Sequence, residues 1–478
     1  MSKNRISRRD LLKGMGLTAA GAALAACSPQ VVERTVRETV VVEVEGETQV
    51  QEVEKIVTVE VGSPEKTTVR WMTRVSDWGG QAGAAAVPEL VRTYFYEENP
   101  DIIVVAEPAP PQWSDKLVTA MVAGDAPDVF EAWPDVFHNF VGRGLVLDLQ
   151  PYVDADMTEE TINDYIVAQW DALFINGIRA GLPLYVDLRL ETYNKDLFDE
   201  YGVPYPPEDG DWTVDDYAAT AAALTQDTNG DGEIDLWGTI IETGGWFYWM
   251  RMWGGDWVDP NDNTKCTLGS DESQEAFNFI YEQQWRRTPN VFAQPAQVEN
   301  AWYYEAFVPE MVAMAEKGCY PARTVEEVGG AFRWDYAHVP RGPKGRKTLV
   351  DADGWSLWSG TQNGDAAWQL ITFLSGPTFQ EEVIARIAGA IPSRLSVVGS
   401  FIDIMRDSFE ELQDVRLEVL QEILEEPGYG GNVLWFKNHL AAMEIIDPAM
   451  DLVFVTGEEE PSYFIEIAEQ VNASQLEG

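Results

Sequence analysis

Short apolar runs with strand propensity alternate with amphipathic helical segments along most of this chain, and few architectures accept that order. Residues 68–72 read as a strand, and Gly79-Gly80 opens a helix over 87–98 with its apolar residues on one face. Strands over 102–105 and 128–133 enclose a helix over 113–123. The pattern returns after Leu188, with strands over 192–194, 236–240 and 311–315 and helices over 214–224 and 270–284. A third block has strands over 336–339 and 354–358 and a helix over 366–374. Strands separated by helices predict an α/β fold with a parallel sheet. The rest reads as helical, over 378–387, 409–424, 435–446 and 463–471. With 478 residues the chain can form two or more domains around substantial cores.

The first 27 residues belong to targeting rather than to the fold. Ser7-Arg8-Arg9-Asp10-Leu11-Leu12-Lys13 is a twin-arginine pattern, an apolar run follows over 14–26, and Leu24-Ala25-Ala26-Cys27 closes it. As a helix that run spans about 20 Å, short of a bilayer core of roughly 30 Å. The order resembles a bacterial lipoprotein signal. The resemblance implies a signal peptide over 1–26, cleavage before Cys27 and a diacylglyceryl group on its sulfur, which places the protein outside the cytoplasm on the outer face of the cytoplasmic membrane. Two acyl chains hold on the order of 20 kcal/mol. Residues 28–63 alternate Val, Glu and Thr with no second layer to cover them, so they read as a flexible, extended stalk. Its full stretch is at most about 120 Å.

A formal charge of −47 excludes nucleic acid as a partner, because the surface repels phosphate. Only three histidines are present, His138, His338 and His439, far apart and without neighbouring cysteines. A histidine zinc site or a Ser-His-Asp triad is hard to build from them. Besides Cys27 there are Cys266 and Cys319, which in an oxidising compartment either pair or remain buried thiols.

A series of motifs then resembles one family in order. It runs through Glu97-Glu98-Asn99-Pro100-Asp101-Ile102, then Lys116-Leu117-Val118 with Ala123-Gly124-Asp125-Ala126-Pro127-Asp128-Val129, then Gly142-Arg143-Gly144-Leu145. Leu182-Pro183-Leu184-Tyr185, Tyr193-Asn194-Lys195-Asp196-Leu197-Phe198 and Trp212-Thr213 follow, and Ala367-Trp368-Gln369 and Gly389-Ala390-Ile391-Pro392-Ser393 close it. The set resembles extracellular solute-binding proteins of ABC importers, in the carbohydrate-binding branch that includes maltodextrin-binding protein. What the resemblance implies is a two-lobed periplasmic-binding-protein type II fold with hinge crossings. Lobe one is expected over 64–187 and 336–378, lobe two over 188–335 and 379–478, with crossings near 187–190, 332–336 and 376–380. It further implies a monomer that binds a sugar or oligosaccharide between the lobes, delivers it to the transmembrane subunits of an ABC permease, needs no cofactor and performs no catalysis.

Sugars are held by flat aromatic faces and planar polar groups. Candidates stand just after the expected strands: Asp77 and Trp78, Trp133 and Asp135, Tyr185 and Asp187, Trp246 and Trp249, Tyr320, and Trp355. The resemblance places Asp135 and Asp187 where relatives hold sugar hydroxyls, and Tyr320 where they stack a ring. Packing is the competing account. Trp249, Trp253 and Trp257 recur at helical spacing, as a core face would, and Trp71, Trp113, Trp170 and Trp285 read as core.

Asp227, Asn229, Asp231, Glu233 and Asp235 alternate with Gly at the sixth place, like the first half of a calcium loop. Gly238 stands where the bidentate Glu belongs, so the loop is either a structural Ca²⁺ site or a solvated acidic turn. Two further functions fit carboxylates among tryptophans. One is an exported glycan-processing enzyme using an acidic pair from Asp77, Asp135 and Asp187. The other is a binder of a non-sugar solute such as a polyamine.

Overall fold

A computed structural model describes residues 30–44, 47–61, 66–74, 87–241, 246–299, 303–318, 320–426, 428–431 and 433–476. Asp77 and Trp78, Cys27 and Cys319 lie outside them.

The segment read as a stalk forms strands β1 (Gln30–Val44) and β2 (Glu47–Val61). They pair antiparallel from Gln30↔Val61 to Val44↔Glu47. The two alternating segments that suggested uncovered strands pair with each other. This hairpin is about 50 Å long, yet its two ends are neighbours, so it adds little distance between residues 30 and 61.

The first lobe is built on β3 (Thr67–Thr73), β4 (Ile102–Pro108) and β5 (Val129–Ala132). β3 pairs parallel with both β4 and β5. Its sheet is covered on both faces, as parallel strands require. Val69, Trp71 and Val129 pack into one apolar layer, whereas Met72, Phe130 and Ala132 pack into the other. That second layer is supplied by α1 (Trp113–Ala123) and α2 (Pro134–Gly142).

Two long strands carry the chain between lobes, β6 (Leu182–Asn194) and β10 (Thr348–Leu357). The first part of β6 pairs with β10, from Leu182↔Trp355 to Leu188↔Val350. Its second part, Arg189 to Tyr193, pairs with β8 (Val312–Gly318). β8 pairs parallel with β7 (Trp237–Ile240). Apolar residues at every second place, Leu182 to Leu190, are buried, and Tyr185, Asp187 and Arg189 between them face outward. The sheet is therefore mixed and not parallel throughout, because β6 and β10 run against their neighbours.

The return to the first lobe comes later in sequence than the motif order implied. β9 (Trp334–Ala337) still pairs with Glu191–Asn194 in the second lobe, and the chain rejoins the first sheet in β10. Phe379, Val383 and Ile384, expected past the last crossing, are buried in the first lobe instead. The second core gathers α3 (Val214–Leu224), α4 (Trp246–Trp253), α5 (Asp271–Tyr281) and the C-terminal helices α6 (His439–Met450) and α7 (Tyr463–Leu476). A helix over Leu395–Ser408 went unread in the sequence, because its apolar residues begin directly after Pro392-Ser393. No helix among the described residues is long and apolar enough to cross a membrane.

Candidate ligand-binding cleft

The polar groups of interest collect where β3 and β5 end beside the middle of β6 and β10. Arg74 follows β3 and donates from Nε to Glu131 Oε1 at 2.6 Å, with Asp353 Oδ2 at 3.5 Å from its Nη2. Its guanidinium lies 4.8 Å from the Trp133 ring centroid and 5.8 Å from that of Trp113. The two indoles meet edge-on at 5.0 Å. Burial works against the Arg74 charge, but Glu131, Tyr185 and Asp353 around it hold its pKa above the usual value.

Four aspartates face one another in this place. Asp187 on β6 stands opposite Asp351 on β10 in the strand register. Asp353, at a bulge in β10, is placed here by its partners, and it accepts a hydrogen bond from the Tyr185 hydroxyl at 2.5 Å. Asp135, in the first turn of α2, completes the group, since its charge acts on both Asp351 and Asp353. Burial pushes Asp351 up to about 8, with Asp187, Asp353 and Asp135 adding to it. Burial takes Asp353 to about 6 against the pull of Arg74 and Tyr185, and Glu131 to about 7 against the pull of Arg74. Asp135 is also raised to about 6 by burial, although its side chain is open to solvent. Atoms crowd it while one side stays wet, the situation of a group on the wall of a cleft. Asp187 Oδ1 and Glu131 Oε2 are buried with no hydrogen-bond partner among the described residues. Unpaired buried carboxylate oxygens are costly.

Tyr320 reaches this site from the second lobe and meets Tyr185 at 6.2 Å, ring to ring. Trp133, Asp135, Tyr185, Asp187 and Tyr320 are thus brought together. Trp249 and Trp355 are not. Trp249 is fully buried in the second core, donating from Nε1 to both Glu316 oxygens at 2.9 and 3.0 Å. Trp355 is fully buried against Trp71, at 5.6 Å, and Phe379, at 6.3 Å, and offers no face to a ligand. Trp246 opens α4, and the description of that residue stops at its backbone.

Sequence reading passed over Arg74, Glu131 and Asp351, singled out Asp353 only as part of the Asp353-Gly354-Trp355 segment, and assigned Trp113 to the core. One signal was available: Asp351 and Asp353 interrupt an otherwise apolar strand. Arg74 had no such mark. Trp113 is buried and does pack in the core, yet its edge is part of the site.

The acidic loop over 227–235 is a turn capped by its own carboxylates. Asp227 accepts from the amides of Gly230, Asp231 and Gly232, and Asp235 from Thr228 and Asn229. Among the described residues no three His, Cys, Asp or Glu side chains are placed to hold a metal ion. Cys266 is a free, buried thiol pushed up to about 11 by burial, and is not in a disulfide.

Comparison with known proteins agrees with this architecture. Residues 78–381 match the family of bacterial extracellular solute-binding proteins. A binding protein of Brucella abortus is 26% identical over 292 residues, 60% of this chain and 67% of that protein. An arabinooligosaccharide-binding protein of Halalkalibacterium halodurans is 29% identical over 194 residues, 39% of this chain and 40% of its own length. Among solved structures, the ABC substrate-binding protein Lmo0181 of Listeria monocytogenes in complex with cycloalternan superposes with a TM-score of 0.71 at 22% identity, covering 86% of this chain and 99% of that one.

Proposed function

Because the chain belongs to the bacterial extracellular solute-binding protein family, we propose that it is a lipid-anchored receptor that captures a sugar or oligosaccharide in the cleft at the hinge and delivers it to an ABC permease. The family is one of binders and not of enzymes, so no glycan-processing chemistry is assigned to Asp135 or Asp187.

The observation that carries the reading is the convergence of Trp133, Tyr185 and Tyr320 with Asp135, Asp187, Asp351 and Asp353 at the junction of both lobes. Rings cover the apolar face of a pyranose, and carboxylates accept from its hydroxyls. Arg74 holds Glu131 and Asp353 in place beneath them. A ligand touching both lobes favours the closed arrangement, since only that arrangement makes every contact. Its arabinooligosaccharide-binding relative and the cycloalternan complex support the carbohydrate class. Residues 1–26 and Cys27 support the anchor, with the protein acting as a monomer on the outer face of the cytoplasmic membrane.

One observation favours a second reading. Five carboxylates (Glu131, Asp135, Asp187, Asp351, Asp353) share this site with two cations, Arg74 and Arg189, the latter 4.0 Å from Asp187. Carboxylates in that number suit a cationic solute such as a polyamine, whose charge draws off the protons that burial keeps on Asp351 and Glu131. Thermal-shift measurements with neutral oligosaccharides and with spermidine separate the two. A ligand at about 100-fold its Kd stabilises by about 2.7 kcal/mol. A shift with an oligosaccharide that vanishes in Asp135→Ala supports the sugar reading. A shift with spermidine alone replaces it, and release of reducing ends overturns both.

A further inference from the structure

Two of the three histidines in the chain meet where the lobes touch. His138 lies on α2, whose Val136, Phe137 and Phe140 are buried in the first lobe. His439 is the first residue of α6 in the second lobe, and Trp435 stands between them. The His138 ring stacks on the Trp435 indole with centroids 4.5 Å apart and planes 23° apart. His439 meets the same indole edge-on at 4.5 Å, and the two imidazoles are 6.4 Å apart. Trp435 is fixed to its own lobe through Trp257, 6.2 Å away, whose Nε1 donates to the Leu434 carbonyl at 2.6 Å.

From these contacts we propose that His138, Trp435 and His439 form a proton-sensitive latch, closed while both imidazoles are neutral and opened when either takes up a proton, so that acid parts the lobes. It rests on the two-lobed fold and not on the identity of the ligand.

Several features disfavour a proton here. Burial takes His138 down to about 3, with His439 adding to the effect, and burial takes His439 to about 4. The Nδ1 of His439 is buried without a hydrogen-bond partner among the described residues. His439 also stands at the N-terminus of a 12-residue helix, where the backbone dipole opposes a cation. The charged groups on the packed elements do not compensate. They are Asp135 one turn earlier on α2, Asp256 beside Trp257, Lys437 beside Trp435, and Glu444 and Asp447 along α6. Asp256 is engaged by Arg251 at 2.7 Å, and none of the five acts on either imidazole. His338 is separate, bonded to Tyr429 and Glu422 within the second lobe.

Once apart, exposed rings titrate near about 6.5. The open form then binds more protons than the closed form below that pH. The open-to-closed ratio rises about tenfold per pH unit for each histidine, roughly 30-fold at pH 5. Above about pH 6.5 the latch is intact.

The test follows the full chain, without added ligand, from pH 7.5 to 5.0. Small-angle X-ray scattering reads the radius of gyration, and NMR reads the ring Cε1–H signals, resolvable because there are only three. A radius that rises on acidification in the wild type and stays level in His138→Gln/His439→Gln supports the latch. A level wild type, or the same rise in both proteins, overturns it. If the double variant is already open at pH 7.5, the wild-type NMR decides. Two rings titrating together with the change in radius support the proposal, and rings titrating near 6.5 at constant radius overturn it.

Discussion

Asp187 holds one carboxylate oxygen buried without a hydrogen-bond partner among the described residues, and the other lies 4.0 Å from Arg189. Asp187→Ala is expected to weaken ligand binding roughly 10- to 100-fold, the worth of a charged hydrogen bond of about 1.5–3 kcal/mol, while the ligand-free melting temperature changes little. Trp355→Ala should do the reverse. Removing that buried indole costs about 3–5 kcal/mol of stability, read by denaturant unfolding. Both residues stood as candidates in the sequence, Asp187 at the first expected crossing and Trp355 after an expected strand. Burial alone separates them. A different residue-scale test concerns Glu191, fully buried opposite Glu316 in the β6–β8 register. Burial, with the Glu316 charge beside it, holds Glu191 well above the usual carboxylate range. Glu316 receives bonds from Tyr248 and Trp249, so the proton belongs on Glu191. The native state therefore binds a proton that the unfolded chain gives up above about pH 4.5, and stability falls as pH rises past that point. Glu191→Gln keeps the shape without the ionisation. It should raise the melting temperature at pH 7 to 9 and leave it unchanged near pH 4.

At the scale of elements, strands and helices follow from local pattern and their contacts do not. The helix over 214–224 was readable to the residue, because Thr213 and Asp216 form a capping box and Tyr217, Ala218, Ala221 and Leu224 recur on one face. Its closeness to β7 was not readable. A Cβ on Gly238 would lie 2.1 Å from the Ala221 carbonyl oxygen, so glycine there is what lets α3 approach the strand. Gly238→Ala should destabilise the protein by about 1–3 kcal/mol, seen as a lower urea midpoint. Gly142→Ala, where a Cβ meets nothing within 4 Å, should be neutral or mildly stabilising. Of the single strand from Leu182 to Asn194 only 192–194 was read, because its two halves take different partners and no local signal distinguishes a strand that changes partners.

On the scale of the whole molecule, closure about β6 and β10 should compact the protein when a ligand bridges the lobes. A fall in the radius of gyration on adding a stabilising oligosaccharide at pH 5.0, where the latch is released, is the expected result, and an unchanged radius there would contradict the clamp. Periodicity of apolar residues fixed the α/β class, and the leader with its Cys27 carried the export reading, because both are local properties of consecutive residues. Pairings between distant segments belonged to the tertiary structure. It set Asp187 opposite Asp351, turned Trp355 and Trp249 into their cores, and laid His138 on Trp435, nearly three hundred positions later in the chain. The sequence names the groups, but side-chain burial and charge depend on which surfaces meet, and only chain topology decides that.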